Sequence, residues 1–171
     1  MKGFFMSTPS QLSDTLFMLE GPTDFQQHSL QLTQNARRHI AILSHTLDAH
    51  IYDNEAFSLA ISALARSSSY AQIQLLVKHT DPLIERAHRL ARLSQRLSSK
   101  IALRKLTLEP TNSEMEFMLC DATGLVFKND AQTYRGFADS NAAAETKRLR
   151  EIFDYLWQYA EPEPRLQLLH I

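Results

Sequence analysis

Cysteine is almost missing from this sequence: Cys120 is the single one among 171 residues. One thiol can form no intrachain disulfide and supplies no cysteine cluster for zinc, so a reducing, cytoplasmic setting is expected. Glycine is nearly as scarce, with four in the whole chain. That leaves no glycine-rich phosphate loop and no dinucleotide fingerprint, and no cofactor is expected. Long apolar runs are lacking too. The opening Met1-Lys2-Gly3-Phe4-Phe5-Met6 is too short an apolar stretch for a signal-peptide core, and nothing elsewhere approaches the roughly 18 apolar residues of a membrane span. No membrane association is expected. Charge of one sign is not in excess: 18 Lys and Arg stand against 19 Asp and Glu, a net of -1. A polyanion would therefore have to be met by a local patch, since the whole molecule offers no attracting field.

What is present is a globular composition, 44% hydrophobic and 22% charged, on a chain of one-domain length. After a polar, poorly patterned opening, Asp24 is placed to cap a helix from Phe25 to about Arg37. His39-Ile40-Ala41-Ile42-Leu43 then reads as a strand covered on both faces. Asp53 or Asn54 caps the next helix, with Phe57, Ala60, Ile61 and Leu64 on one face. Ile73-Gln74-Leu75-Leu76-Val77 is a second strand, Asp81-Pro82 opens a helix running to about Leu97, and Ile101 to Leu106 is a third strand. Strict alternation of strand and helix predicts βαβ units. Met115 to Cys120 and Gly124 to Phe127 flank a hairpin turn in which glycine is expected to take positive φ. Ser140 caps a last helix that buries Leu149, Ile152, Phe153 and Leu156 and ends before Pro162. The predicted fold class is α/β, a mixed, largely parallel sheet with helices on both faces. An N-terminal extension over 1–24, a domain over 25–160 and a C-terminal tail over 161–171 are expected.

Three stretches carry a likeness to a known family. Tyr52-Asp53-Asn54-Glu55-Ala56-Phe57 after the first strand, Ile73 to Val77 as the second strand, and Phe153-Asp154-Tyr155-Leu156-Trp157 on the terminal helix resemble one half-domain of the phospholipase D-like superfamily. Stretches like His88-Arg89-Leu90 and Arg96-Leu97-Ser98-Ser99 are similar to uncharacterised bacterial relatives of that superfamily. The family's catalytic signature is His-x-Lys, four residues, then Asp, on the strand leading into the hairpin. With Asp121 as the aspartate, Glu114 falls where histidine should be and Glu116 where lysine should be. No histidine in the chain has a lysine two residues on, so no other register restores the pair. A phosphodiester gains negative charge in its transition state, and carboxylates at these positions would repel it. A non-catalytic domain is expected, and no catalytic residue is assigned.

Other clusters bear on what such a domain would bind. Arg86, Arg89, Arg92 and Arg96 fall within about 120° on one continuous helix, inside a stretch from Arg86 to Lys105 that has no acidic residue. They are candidates for an anionic ligand or nucleic acid. The plainer reading is a solvated face whose arginines pair with carboxylates elsewhere. His45 and Asp48 follow the first strand, where ligands of open α/β sheets gather. With His88, Arg104 and Asp121 they form the candidate pocket, against the plainer reading of structural histidines. Glu114, Glu116 and Asp121 have hard-cation donor atoms but read as solvent-facing acids, and no metal is expected. Binding or assembly is the leading function. An atypical phosphoester hydrolase using His45 or His88 and a homo-oligomerisation module are the alternatives. Because superfamily sites are built from two half-domains and this chain resembles one, a homodimer is expected.

Overall fold

The computed structural model describes residues 14–167. In chain order the elements are β1 (Leu16–Glu20), α1 (Pro22–Asn35), β2 (His39–Ser44), α2 (Ala49–Tyr52), α3 (Glu55–Ser67), β3 (Gln72–Val77), α4 (Asp81–Glu85), α5 (Arg89–Arg96), β4 (Ile101–Lys105), β5 (Glu116–Cys120), β6 (Gly124–Lys128), β7 (Arg135–Asp139), α6 (Ala143–Tyr159), β8 (Glu161–Pro162) and α7 (Pro164–Gln167). Eight strands form one mixed sheet in the order β1-β7-β6-β5-β2-β3-β4-β8. The α/β class is as expected, but parallel pairing is confined to β2-β3 and β3-β4. All other pairs are antiparallel. The reason lies in the connections: helical crossovers join β2, β3 and β4, whereas short turns join β5, β6 and β7.

Helices cover both faces unequally. On one face, Ile40, Ile42, Ile73, Leu75 and Met118 pack against Phe25 of α1, Ile51 of α2, Phe57 and Ile61 of α3, and Leu90 and Leu93 of α5. On the other face, Ala41, Leu43, Leu76, Phe117 and Leu119 are covered by Leu149, Phe153 and Leu156 of α6. Burying one leucine-sized side chain contributes roughly 1.5–3 kcal/mol, so these two layers hold the fold together.

Several sequence expectations are corrected. β1 and β7 were not expected, and both the segment taken as an N-terminal extension and that taken as a tail give strands to the sheet: β1 pairs with β7, and β8 with β4. Leu166 is buried, while residues 168–171 lie outside those described. Helix α1 starts at Pro22 behind Gly21, and Asp24 accepts the Glu20 N–H at 2.9 Å instead of capping. Helix α6 begins after Ala142 without a side-chain cap from Ser140. Asn54 does cap α3, accepting from the Phe57 N–H at 2.9 Å. The helix expected from Asp81 to Leu97 is broken, because Ala87 takes φ 50° and His88 caps α5. In the β5–β6 turn the positive φ belongs to Asp121, at 53°, and not to glycine. Gly136 is required for a different reason: a Cβ there would lie 1.8 Å from the Phe127 carbonyl oxygen on β6.

Candidate functional site

The carboxyl ends of β2 and β3 are where a ligand of this sheet would sit. Ser44 ends β2, and the chain then turns through His45, Thr46 and Leu47, the last with φ 55°. Beside them stands Glu116, the first residue of β5, which is buried. Its Oε2 accepts from the His45 N–H at 2.6 Å and from the Ser44 hydroxyl at 3.1 Å. The β5–β6 register sets Lys128 directly opposite. Lys128 is equally buried, with Nζ 3.4 Å from Glu116 Oε1 and donating to the Asp130 carbonyl at 2.7 Å. Its ammonium also lies 5.1 Å from the centre of the Tyr134 ring. The Tyr134 hydroxyl donates to Asp48 at 2.6 Å. Burial first, and then Asp48, push that phenol well above its ordinary value.

The histidines here are committed to the backbone. His45 Nε2 donates to the Ser113 carbonyl at 2.9 Å. His88 is buried, with Nε2 donating to the Leu47 carbonyl at 3.0 Å and Nδ1 accepting from the Leu90 N–H at 3.1 Å. Both ring nitrogens are used, the tautomer is fixed, and burial holds the imidazole below its ordinary range. Such a ring positions the β2 loop and has no free nitrogen for proton transfer.

The five candidate pocket residues therefore do not converge. His45 and Asp48 share the strand-end loop, and His88 braces it from behind. Arg104 lies beyond β3, across the sheet from Glu116, where it donates to the Trp157 carbonyl at 2.9 Å and stacks 4.4 Å over that indole. It serves the end of α6. Asp121 is at the opposite end of β2, because β5 runs antiparallel to it. Six residues at about 3.3 Å each put it about 20 Å from His45. There its carboxylate accepts the N–H groups of Arg37, Arg38 and His39 at 2.9, 2.9 and 3.0 Å. Burial would raise its pKa, but those three donors outweigh burial and hold it low. Next to it, Arg150 donates to His39 Nδ1 at 2.6 Å and to the Asp121 carbonyl at 2.7 Å, and His39 Nε2 donates to Gln74 at 2.6 Å. Glu114 is exposed in the loop before β5, whereas Glu116 is buried. Among the described residues no three His, Cys, Asp or Glu side chains gather to hold a metal ion.

The arginine surface is partly engaged. Arg89 pairs with Asp53 at 3.2 Å and also donates to the Asp53 carbonyl. Burial would raise Asp53, yet the Arg89 N–H, His88 and the guanidinium together hold it low. Arg86, Arg92 and Arg96 are exposed, and among the described residues none has a carboxylate within 4.0 Å. Because the helix breaks at Ala87, Arg86 sits on the turn before α5 and borders a small pocket with Thr46, Pro82 and His88.

Sequence reasoning missed Lys128 and Tyr134. The signal for Lys128 was available: a three-residue turn after Cys120 pairs residue 116 with residue 128, an acid with a base.

This frame is that of the phospholipase D-like proteins. The Salmonella typhimurium phospholipase D family member Nuc matches with a TM-score of 0.64 at 10% identity, over 87% of this chain and 97% of that one. NucT from Helicobacter pylori matches with a TM-score of 0.61 at 11% identity, over 87% and 98%. TrmBL2, an archaeal chromatin protein with a novel mode of DNA binding, matches with a TM-score of 0.63 at 16% identity. The match covers 88% of this chain and about half, 54%, of TrmBL2. No curated protein matches by sequence. The chain belongs to the family described as a domain of unknown function, DUF7931, which it matches over residues 21–169. Among the described residues no helix is long and apolar enough to cross a membrane.

Proposed function

We propose that this chain is a non-catalytic phospholipase D-like domain that binds an anionic, phosphate-containing ligand through Arg86, Arg92 and Arg96. The observation that supports a non-catalytic reading is Glu116. Where the resemblance implies the signature lysine, this residue is a buried carboxylate whose oxygens are taken by Ser44, His45 and Lys128. A phosphate there would meet an anion already compensated from within, with no cation left over. Binding is proposed for the α5 side because three exposed guanidiniums, each with five donors, stand there without described acidic partners. TrmBL2 supports the reading as an example of a similar frame in a DNA-binding protein. The lone, buried Cys120 fits a cytoplasmic setting.

The test is salt-dependent binding to duplex DNA and to heparin. Neutralising about three phosphates gives a slope of log K against log salt of about -2.7 on B-form DNA, and removing one arginine reduces its magnitude by about 0.9. Binding that is undetectable at low salt, or unchanged when Arg86, Arg92 and Arg96 become alanine, contradicts the assignment.

Assembly into a homodimer is proposed alongside, on a separate observation. On the side of the sheet that α6 covers, exposed apolar side chains stand on both layers: Met18 of β1 is 77% exposed, and on α6 itself Tyr155 is 57% and Tyr159 49% exposed. Phe137, opposite Met18 in the β1–β7 register, stacks half-buried on Phe127, 5.5 Å between ring centres. Apolar surface of this kind favours assembly.

A further inference from the structure

We propose that the homodimer forms by antiparallel packing of α6 against α6 of a second copy, over the groove that borders it. The inference rests on the homodimer reading above and names its surface. Ala144, Arg148, Glu151, Ile152, Tyr155 and Tyr159 recur at four- and three-residue steps, and at 100° per residue they fall within about 100° of one helix side. Leu149, Phe153 and Leu156, which bury against the sheet, lie on another side, and Ile152 packs half-buried at their margin, so Ala144, Arg148, Glu151, Tyr155 and Tyr159 are the exposed members of this edge. Ile152 and Tyr155 also wall a groove of about 640 Å³, whose other lining includes Met115, Phe127 and Glu109. The Tyr155 and Tyr159 rings lie edge to face, 5.3 Å apart. They present large, rigid apolar area with polar tips, the side-chain type enriched at interfaces.

Charge and size make this stripe complementary to itself. Arg148 and Glu151 are both exposed, and among the described residues Glu151 has no cation within 4.0 Å. Arg148 bonds Glu145 at 2.5 Å and has further N–H donors to give. An antiparallel crossing centred between positions 148 and 151 sets each Arg148 opposite the partner's Glu151. The same register sets each Tyr155 opposite the partner's Ala144, large against small. A two-fold axis repeats both contacts, as an isologous interface requires. A parallel crossing would instead set Arg148 against Arg148.

Sedimentation of the full chain at micromolar concentration, for the natural sequence and for R148E, E151R and R148E/E151R, tests the assignment. The natural chain is expected to be a dimer. Each single change brings like charges together and weakens dimerisation by about tenfold or more, and the double exchange restores it. Both positions are exposed, and unchanged circular dichroism would show that the variants remain folded. A dimer indifferent to all three variants overturns the α6 surface and leaves the homodimer standing on another contact. A monomer for the natural chain overturns both.

Discussion

Replacing Glu116 by leucine perturbs the buried ion pair at the carboxyl end of β2. Three donors converge on that carboxylate: the His45 N–H at 2.6 Å, the Ser44 hydroxyl at 3.1 Å and the Lys128 ammonium at 3.4 Å. Leucine leaves Lys128 buried with only the Asp130 carbonyl and the Tyr134 ring for company. Removing one member of a buried ion pair costs about 3–5 kcal/mol, because the remaining charge stays desolvated and uncompensated. Against a typical total of about 5–15 kcal/mol, that is a large share of stability. Changing both members, Glu116→Leu with Lys128→Met, removes the stranded charge. The double variant is then expected to be more stable than Glu116→Leu alone by about 2 kcal/mol or more. Urea denaturation at neutral pH, with equal m-values across the set, reads these differences. A cost below about 1 kcal/mol for Glu116→Leu, or double-variant losses that simply add, would refute the idea that the pair compensates itself.

Acid should act in two windows. His39 and His88 sit below the ordinary 6.5, both mainly through burial and His39 also through Arg150. The unfolded chain therefore takes up protons first as pH falls below about 6.5, and the melting temperature should decline from pH 7 to 5. The decline should be shallower in His88→Asn, and a flat profile for the natural chain contradicts it. Glu163 is held down to about 2, from an ordinary 4.5, first by its bonds to the Arg165 side chain and further by the Thr80 hydroxyl. Its stabilisation is complete above about 4.5 and is lost as pH falls towards 2. Glu163→Gln should weaken docking of β8 and α7 at neutral pH and remove that lower step, as read by hydrogen exchange of residues 161–167. Cys120 is buried and its thiol is pushed far up by that burial, so a thiol reagent should label the native protein only at the rate of unfolding. Rapid labelling under native conditions would show an opening that this packing does not allow.

The three strands between His39 and Lys105 were legible because each is a short, mostly apolar run, and α3 because it carries a clear 3.6-residue stripe. β1 was not legible, because four of its five side chains are exposed and no inward alternation marks Leu16-Phe17-Met18. β7 was hidden by Arg135, Gly136 and Asp139, a composition that reads as loop. The break at Ala87 has tertiary partners that the local sequence does not announce: Glu85, Arg86 and Arg89 favour helix, but His88 turns inward to the Leu47 carbonyl and Asp53 accepts the Arg89 N–H. That break in turn takes Arg86 off the helix that was to align all four arginines. Within the site, Glu116 was identified by motif spacing alone, but its burial depended on Lys128 across the hairpin. Asp121 seemed close to His45 only while the length of the intervening strand was left out of account.

The proposed strand-end site, with Glu116 held by Ser44, His45 and Lys128, carries out no phosphodiester chemistry. Turnover of a chromogenic phosphodiester by the full chain, with and without divalent metal, tests it most directly. The predicted rate equals that of buffer and does not change in His45→Ala or Lys128→Met. Turnover by the natural chain that disappears in His45→Ala or His88→Asn would contradict the claim and place an active histidine at the end of β2.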